Sequence, residues 1–403
     1  MNGPPLAVLG GPSSFDRPLH VGRPNVGDRA AFLRRLGEML DRNWLTNDGP
    51  LVKEFERRVA EAAGVAHCVA MCNATVALEI AIRGAGLAGE VIVPSYTFVA
   101  TAHALQWQEI TPVFCDIDPA THNLDPDRVE RMITPRTTGI IGVHLWGRAA
   151  PVEQLAEIAR RRNLTLMFDA AHAFGCTHRG RRVGSFGKCE VFSFHATKFL
   201  NTLEGGAVVT DDGAFADKLR LMRNFGFAGY DNVVYVGTNG KMTEASAAMG
   251  LTNLDAVETF VATNRRNYAA YREDLSGVPG LDLMPYDPAE ENNYQYVVAE
   301  VDADRFGLTR DELVAVLHAE NVLARRYFYP GCHRMEPYRS FFPHAGLLLP
   351  ETERVAERVL LLPTGTAVGP DDIRIIARVV RAASREAGRV RAALRGRRAE
   401  AVR

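Results

Sequence analysis

Lysine is scarce in this sequence. Of the 47 lysines and arginines among 403 residues, only Lys53, Lys188, Lys198, Lys218 and Lys241 are lysine. Chemistry that needs a primary amine, imine formation above all, is confined to those positions. A charge surplus is also absent: 48 acidic residues balance the 47 basic ones, a formal net charge of −1. That balance excludes the electrostatic footprint of a dedicated nucleic-acid binder. No apolar run is long enough to span a bilayer, so no membrane partner is expected. The Gly- and Pro-rich start, Met1 to Pro24, has neither the cationic region nor the apolar stretch of a signal peptide. The six cysteines, Cys68, Cys72, Cys115, Cys176, Cys189 and Cys332, form no CxxC pair. They read as free thiols of a reducing cytoplasm. Cys68 and Cys72, near His67, lack the second pair that a metal site needs, and no metal is expected.

What the sequence has is apolar material, 47% of residues, in an alternating pattern. Short apolar runs bounded by turn residues recur at Cys68–Met71, Val91–Val93, Pro112–Cys115, Gly139–Val143, Thr165–Phe168, Cys189–Phe194 and Gly206–Val209, with helical periodicity between them. This is the signature of crossover units on a mostly parallel sheet. Phe55, Val59 and Ala62 share one helical face, with Gly64 as the stop. Pro151 opens a helix carrying Val152, Leu155 and Ala159, with Arg160 to Arg162 at its carboxyl end, where the dipole favours positive charge. A composition shift near residue 255 sets the expected boundary: a large α/β domain over 1–255, its first 50 residues an arm and a first helix, and a smaller α+β domain over 256–390. In the second, Tyr294–Val301 reads as a strand, Thr309 with Glu312 as a capping box, and Pro370–Ala383 as an amphipathic helix. The Arg- and Ala-rich end, 391–403, is expected to be a disordered tail.

Four segments carry candidate chemistry. Val191-Phe-Ser193-Phe-His-Ala-Thr-Lys198 delivers a serine and then a lysine from an apolar strand into a loop that ends in Glu204-Gly-Gly206; alone, Lys198 reads as a surface lysine after a turn. Leu164-Thr-Leu-Met-Phe-Asp169 ends a buried-strand pattern in a carboxylate, with His172 three residues on. A carboxylate there lies where open α/β sheets bind ligands, and equally where a helix cap would stand. Cys72-Asn73-Ala74-Thr75 leads a strand into a helix whose first N–H groups suit a phosphate, or ordinary capping by Asn73. Pro94-Ser-Tyr-Thr-Phe98 places an aromatic after a strand end, to lie over a ring or to pack in the core.

An imine-forming lysine, a strand-end carboxylate, a helix-terminus phosphate site and an aromatic platform are together the parts that hold pyridoxal 5′-phosphate. On these segments, and on Trp44-Leu-Thr-Asn-Asp-Gly-Pro50, Pro94 through Thr101, Gly237-Thr-Asn239-Gly-Lys241-Met242 and Leu361-Leu-Pro363, the chain resembles the DegT/DnrJ/EryC1/StrS sugar aminotransferases, enzymes of the fold-type I pyridoxal phosphate class. The resemblance implies a large, mostly parallel-sheet cofactor domain and a smaller carboxyl-terminal α+β domain. It implies that Lys198 carries the cofactor as an imine and moves the proton in catalysis, and that Asp169 keeps the ring nitrogen protonated. Ala74, Thr75 and Ser193 match its phosphate contacts, and Phe98 the ring-stacking aromatic. His172 stands where the family usually has glutamine, which makes its charge state a new variable. Asn239 matches a residue that reaches the cofactor of the partner subunit, which implies a homodimer with shared sites. Lys241, Tyr329 and His333 match the substrate side.

The family also contains a dehydrating branch with histidine in place of the lysine, and Lys198 argues against it. Cofactor-sensing relatives carry an amino-terminal DNA-binding domain, for which the stretch before the first matched strand leaves no room. The resemblance therefore implies transamination of a nucleotide-linked keto sugar with L-glutamate as donor. The Ser-Phe-His-Ala-Thr-Lys wording is similar to that of enzymes aminating carbon 4 of a hexose, and implies a dTDP-4-keto-6-deoxyhexose in the making of a deoxyamino sugar for a secondary metabolite. Amination at carbon 3, or a non-catalytic cofactor-binding sensor, are the alternatives.

Overall fold

In the computed structural model, which describes residues 5–401, with side chains through residue 396, all seven apolar runs become strands of one sheet. They are β1 (His67–Met71), β2 (Glu90–Pro94), β3 (Thr111–Cys115), β4 (Thr137–Val143), β5 (Thr165–Asp169), β6 (Glu190–Ser193) and β7 (Gly206–Thr210). Their order across the sheet is β1-β7-β6-β5-β4-β2-β3. Only β7 runs antiparallel, to β1 and β6; the other pairings are parallel. The parallel strands therefore end on one edge, and β7 begins there, with Gly206 opposite both Met71 and Ser193.

Both faces of this sheet are covered, which is why its strands read as unbroken apolar runs. On β1, Cys68 and Ala70 join one core with Phe55 and Val59 of helix α1 (Pro50–Ala63). Val69 and Met71 join the opposite core with Leu78 and Ile82 of α2 (Ala74–Gly84). Gly64 caps α1 in the left-handed conformation, φ 66°. Helices α3 (Ala100–Gln106) and α4 (Val152–Arg162) follow β2 and β4, and Asn163 ends α4 at φ 53°.

The carboxyl-terminal region is built on a three-stranded antiparallel sheet, β8 (Leu281–Leu283), β9 (Val297–Val301) and β10 (Val359–Leu362), with β9 in the centre. Helices α5 (Val257–Asp274), α6 (Arg310–Ala319), α7 (Pro350–Arg358) and α8 (Pro370–Arg385) accompany it. Thr309 and Glu312 form the capping box of α6.

Three expectations change. The strand anticipated from Tyr294 begins only at Val297, because Asn292, Asn293 and Gln295 hydrogen-bond loops of the large sheet and Tyr294 turns to φ 49°. The tail anticipated as disordered is helix α9 (Ala387–Ala401), residues 402–403 lying outside those described. Alanine and arginine are strong helix formers, and Val390 is fully buried with Leu394 packed beside it. The amino-terminal arm, expected with the large sheet, instead buries Leu6 and Val8 in the carboxyl-terminal core. Buried Glu320 fastens it there by accepting from Ala7 N at 2.7 Å and Ser14 N at 2.8 Å.

Candidate active site

The common edge of the large sheet gathers the residues that the sequence singles out. Asp169 closes β5 and is buried. Its Oδ1 accepts from Ala171 N at 3.0 Å and its Oδ2 from Thr101 Oγ1 at 2.8 Å. Burial pushes the carboxyl pKa up, while those two donors and the charge of Lys198 pull it back down.

Lys198 lies in the turn after β6, its backbone N–H bonded to His195 O at 2.9 Å. Its Nζ points to Tyr296 Oη at 3.4 Å. Desolvation lowers the amine to about 8 against the opposing pull of Asp169. An amine so tuned has a substantial uncharged, nucleophilic fraction near neutral pH.

His172 packs beside two aromatic rings that are stacked on each other, roughly parallel to both, Trp146 (5.7 Å, 22°) and Phe328 (5.9 Å, 14°). Trp146 N donates to its Nδ1 at 3.4 Å, so the ring proton resides on Nε2. Burial, reinforced by Lys198, pushes the imidazole pKa well below its usual value. Both effects favour the neutral ring, which offers one N–H from Nε2.

The segment that the sequence offers for a phosphate is at the start of α2. Asn73 caps that helix, its Oδ1 accepting from Val76 N at 2.8 Å and its carbonyl from Ala77 N at 3.1 Å. The N–H groups of Ala74 and Thr75 have no acceptor among the described residues. Gly206 stands against them: a Cβ there would lie 2.5 Å from Ala74 N. Half-buried Ser193, at the end of β6, is the register partner of Gly206. Phe98 is 58% exposed, its ring 6.4 Å from that of Phe328.

The remaining candidates make no contact with Lys198, Asp169 or His172 among those described. Both ring nitrogens of His333 are occupied, Nδ1 by Ser95 Oγ at 2.7 Å and Nε2 by Glu353 Oε1 of α7 at 2.8 Å. It is a buried brace between the β2 loop and α7, with no ring nitrogen left for substrate. Tyr329 lies between the guanidinium groups of Arg310 (5.0 Å) and Arg326 (4.8 Å). Asn239 is exposed, and Lys241 donates to Asn224 Oδ1 at 2.9 Å while lining a cavity of about 180 Å³ with Asp48, Arg220 and Arg223.

Sequence reasoning passed over two participants. Thr101 holds Asp169, and Tyr296 meets Lys198. Tyr296 ends a strap in which Asn292 reaches Gly147 O (2.8 Å), Asn293 reaches His172 O (2.9 Å) and Phe174 O (3.1 Å), and Gln295 Nε2 reaches His172 O (3.0 Å). The usable signal was Asn-Asn-Tyr-Gln just ahead of an apolar strand: amides at such density need backbone partners elsewhere.

An aldehyde-capturing amine, an anchored carboxylate, free helix N–H groups beside a glycine and an open aromatic face fit pyridoxal 5′-phosphate in amine, charge and shape. The family model of the DegT/DnrJ/EryC1/StrS aminotransferase family matches residues 27–381. The chain belongs to that family. It is a sugar aminotransferase whose cofactor is pyridoxal 5′-phosphate. Among DegT/DnrJ/EryC1/StrS relatives, it is 36% identical over 367 residues to the dTDP-4-amino-4,6-dideoxy-D-glucose transaminase of Shigella dysenteriae, covering 91% of this chain and 99% of that one. It is 36% identical to the GDP-perosamine synthase of Caulobacter vibrioides, covering 75% and 82%. Among solved structures, DesI in the presence of its TDP-sugar product superposes with a TM-score of 0.93 at 55% identity, covering 97% and 99%.

Proposed function

We propose that this enzyme transfers the amino group of L-glutamate to carbon 4 of a dTDP-4-keto-6-deoxyhexose, in the cytoplasm, as a step in making a deoxyamino sugar for a secondary metabolite. The observation that carries the reaction class is the meeting of Lys198, Asp169 and His172 at one sheet edge beside the free N–H groups of α2. Two relatives support the substrate reading: a dTDP-4-amino sugar transaminase at 36% identity and DesI with its TDP-sugar product at 55%.

The cofactor, when bound, supplies the electron sink that lets a C–H bond next to nitrogen ionise. The α2 terminus with Ala74, Thr75 and Ser193 would hold the phosphate, Phe98 would cover the ring and Asp169 would retain a proton at the ring nitrogen. His172 offers its Nε2–H to the phenolic oxygen. Lys198 Nζ would take the proton from the donor carbon and pass it to the cofactor; in the sugar half-reaction it would carry a proton from the cofactor to the sugar carbon that receives nitrogen. The amino donor leaves before the sugar enters, so turnover is ping-pong.

Asn239 completes the site of the partner in a homodimer. Its segment is stitched to the end of β1 beside the α2 terminus, Cys72 N donating to Gly240 O at 2.8 Å; a two-fold axis near this seam would bring each Asn239 to the other cradle. Exposed Phe225, Val233, Val234 and Val236 on the same excursion supply an apolar surface for that contact. Lys241, in this seam, serves the substrate side.

The test is incubation with L-glutamate and a panel of 3-keto and 4-keto sugar nucleotides, the new C–N bond being located by NMR. Nitrogen on carbon 4 of a dTDP-6-deoxyhexose is the expected product. Nitrogen on carbon 3 overturns the regiochemistry, and failure of glutamate to bleach the visible band of the loaded protein overturns transamination.

A further inference from the structure

Asp169 does not stand alone behind the cofactor site. Thr101 is the second residue of α3, and its Oγ1 reaches across the sheet edge to donate to Asp169 Oδ2 at 2.8 Å. The carbonyl of Thr97, ahead of the helix, accepts from Cys332 Sγ at 3.4 Å. Thr97 Oγ1 lies 3.1 Å from Thr101 Oγ1, and both threonines are fully buried.

A hydroxyl has one hydrogen. With that of Thr101 directed to the carboxylate, Thr97 must donate to Thr101, so the two O–H dipoles align in series toward Asp169. Each hydroxyl polarises the next, and in a dry environment such a chain strengthens the terminal bond. Ala171 N holds the other oxygen at 3.0 Å. Both carboxylate oxygens therefore have one fixed donor from the protein and retain acceptor capacity for one more. A protonated Asp169 would turn the chain round, leaving the Thr97 hydrogen to find a partner elsewhere in a buried position.

We propose that Thr101, backed by Thr97, is a positioning residue that holds Asp169 as an oriented anion and thereby keeps the proton on the ring nitrogen of the bound cofactor. This rests on the reading of Asp169 as the partner of that nitrogen. Valine at position 101 keeps the shape and removes the donor, so the Asp169 carboxylate gains basicity and draws the proton toward itself.

The experiment loads wild type, Thr101→Val, Thr101→Ser and Thr97→Val with cofactor labelled with ¹⁵N in the ring, and measures the ¹⁵N shift together with kcat and KM. Wild type and Thr101→Ser give the protonated shift. Thr101→Val moves toward the unprotonated shift, and its kcat falls about tenfold or more while both KM values stay within about twofold. Thr97→Val shifts in the same direction by less. A Thr101→Val protein with wild-type shift and kcat overturns the inference; if that variant does not fold or load, a wild-type shift in Thr97→Val does so. An unprotonated ring in wild type removes the reading of Asp169 on which both rest.

Discussion

Among five lysines, Lys198 is the one that the fold delivers beside a buried carboxylate, and its environment sets how it reacts. Replacing Lys198 by Ala removes the amine that captures the cofactor and moves the proton. The expected result is loss of the visible cofactor band that survives gel filtration in wild type, and a rate loss on the order of 10²- to 10⁴-fold, read by stopped-flow with glutamate. The lowered amine pKa also has a signed consequence. Only the uncharged amine attacks an aldehyde, and the fraction uncharged grows as pH rises through the folded-state value of about 8. The charged neighbour is Asp169, which favours the ammonium form; His172 is neutral and Tyr296 contributes a hydroxyl. Cofactor capture by stripped protein, followed by absorbance, should therefore accelerate with pH and level off above about 8. A rise delayed to the ordinary lysine range would show that burial does not govern this amine.

Elements made the site legible to different degrees. The seven strands could be read because strands buried on both faces leave unbroken apolar runs, and Asp169, Ser193 and Asn73 could be placed because such runs end where the chain turns polar. Thr101 and Tyr296 could not, since nothing local distinguishes a helical threonine or a strand tyrosine until Asp169 and Lys198 arrive from elsewhere in the chain. The strap shows the same limit: Gln295 looks like part of β9, and Asn292 and Asn293 like the turn ahead of it, until Gly147, His172 and Phe174 present carbonyls to them. Gly206 is the element-scale test. Its missing Cβ lets β7 lie against the α2 terminus, and a methyl group there would meet Ala74 N at 2.5 Å. Gly206→Ala should push the terminus away and weaken at least one charge-assisted contact to phosphate. The dissociation constant for the cofactor should rise about ten- to a hundredfold, measured by equilibrium fluorescence, with a fall in Tm of the stripped protein of a few degrees from the overpacking, on the order of 1–3 kcal/mol. Unchanged affinity would mean that α2 does not hold the phosphate.

At the scale of the whole molecule, the near-zero net charge offers no surplus for a polymer of phosphates and is compatible with one nucleotide held by local charge. The question that no single chain answers is whether two copies share each site. Asn239 provides the means to decide it, because it and Lys198 serve opposite sites if the dimer is arranged as proposed. Lys198→Ala and Asn239→Ala homodimers should each be severely impaired. In a mixed dimer, the site that uses Lys198 of the Asn239→Ala chain receives a native Asn239 from the other chain, while the second site carries both lesions. Random pairing of equal amounts makes half of the dimers mixed, each with one native site, so activity should return to about a quarter of wild type for an isologous two-fold dimer. Differently tagged chains, co-expressed and purified through both tags, isolate the mixed species and raise that figure to about a half. Recovery on mixing cannot arise if both residues act within one chain, since every site would then retain a lesion; absence of recovery in the doubly tagged dimer would place Asn239 in its own subunit's site and remove the need for a partner.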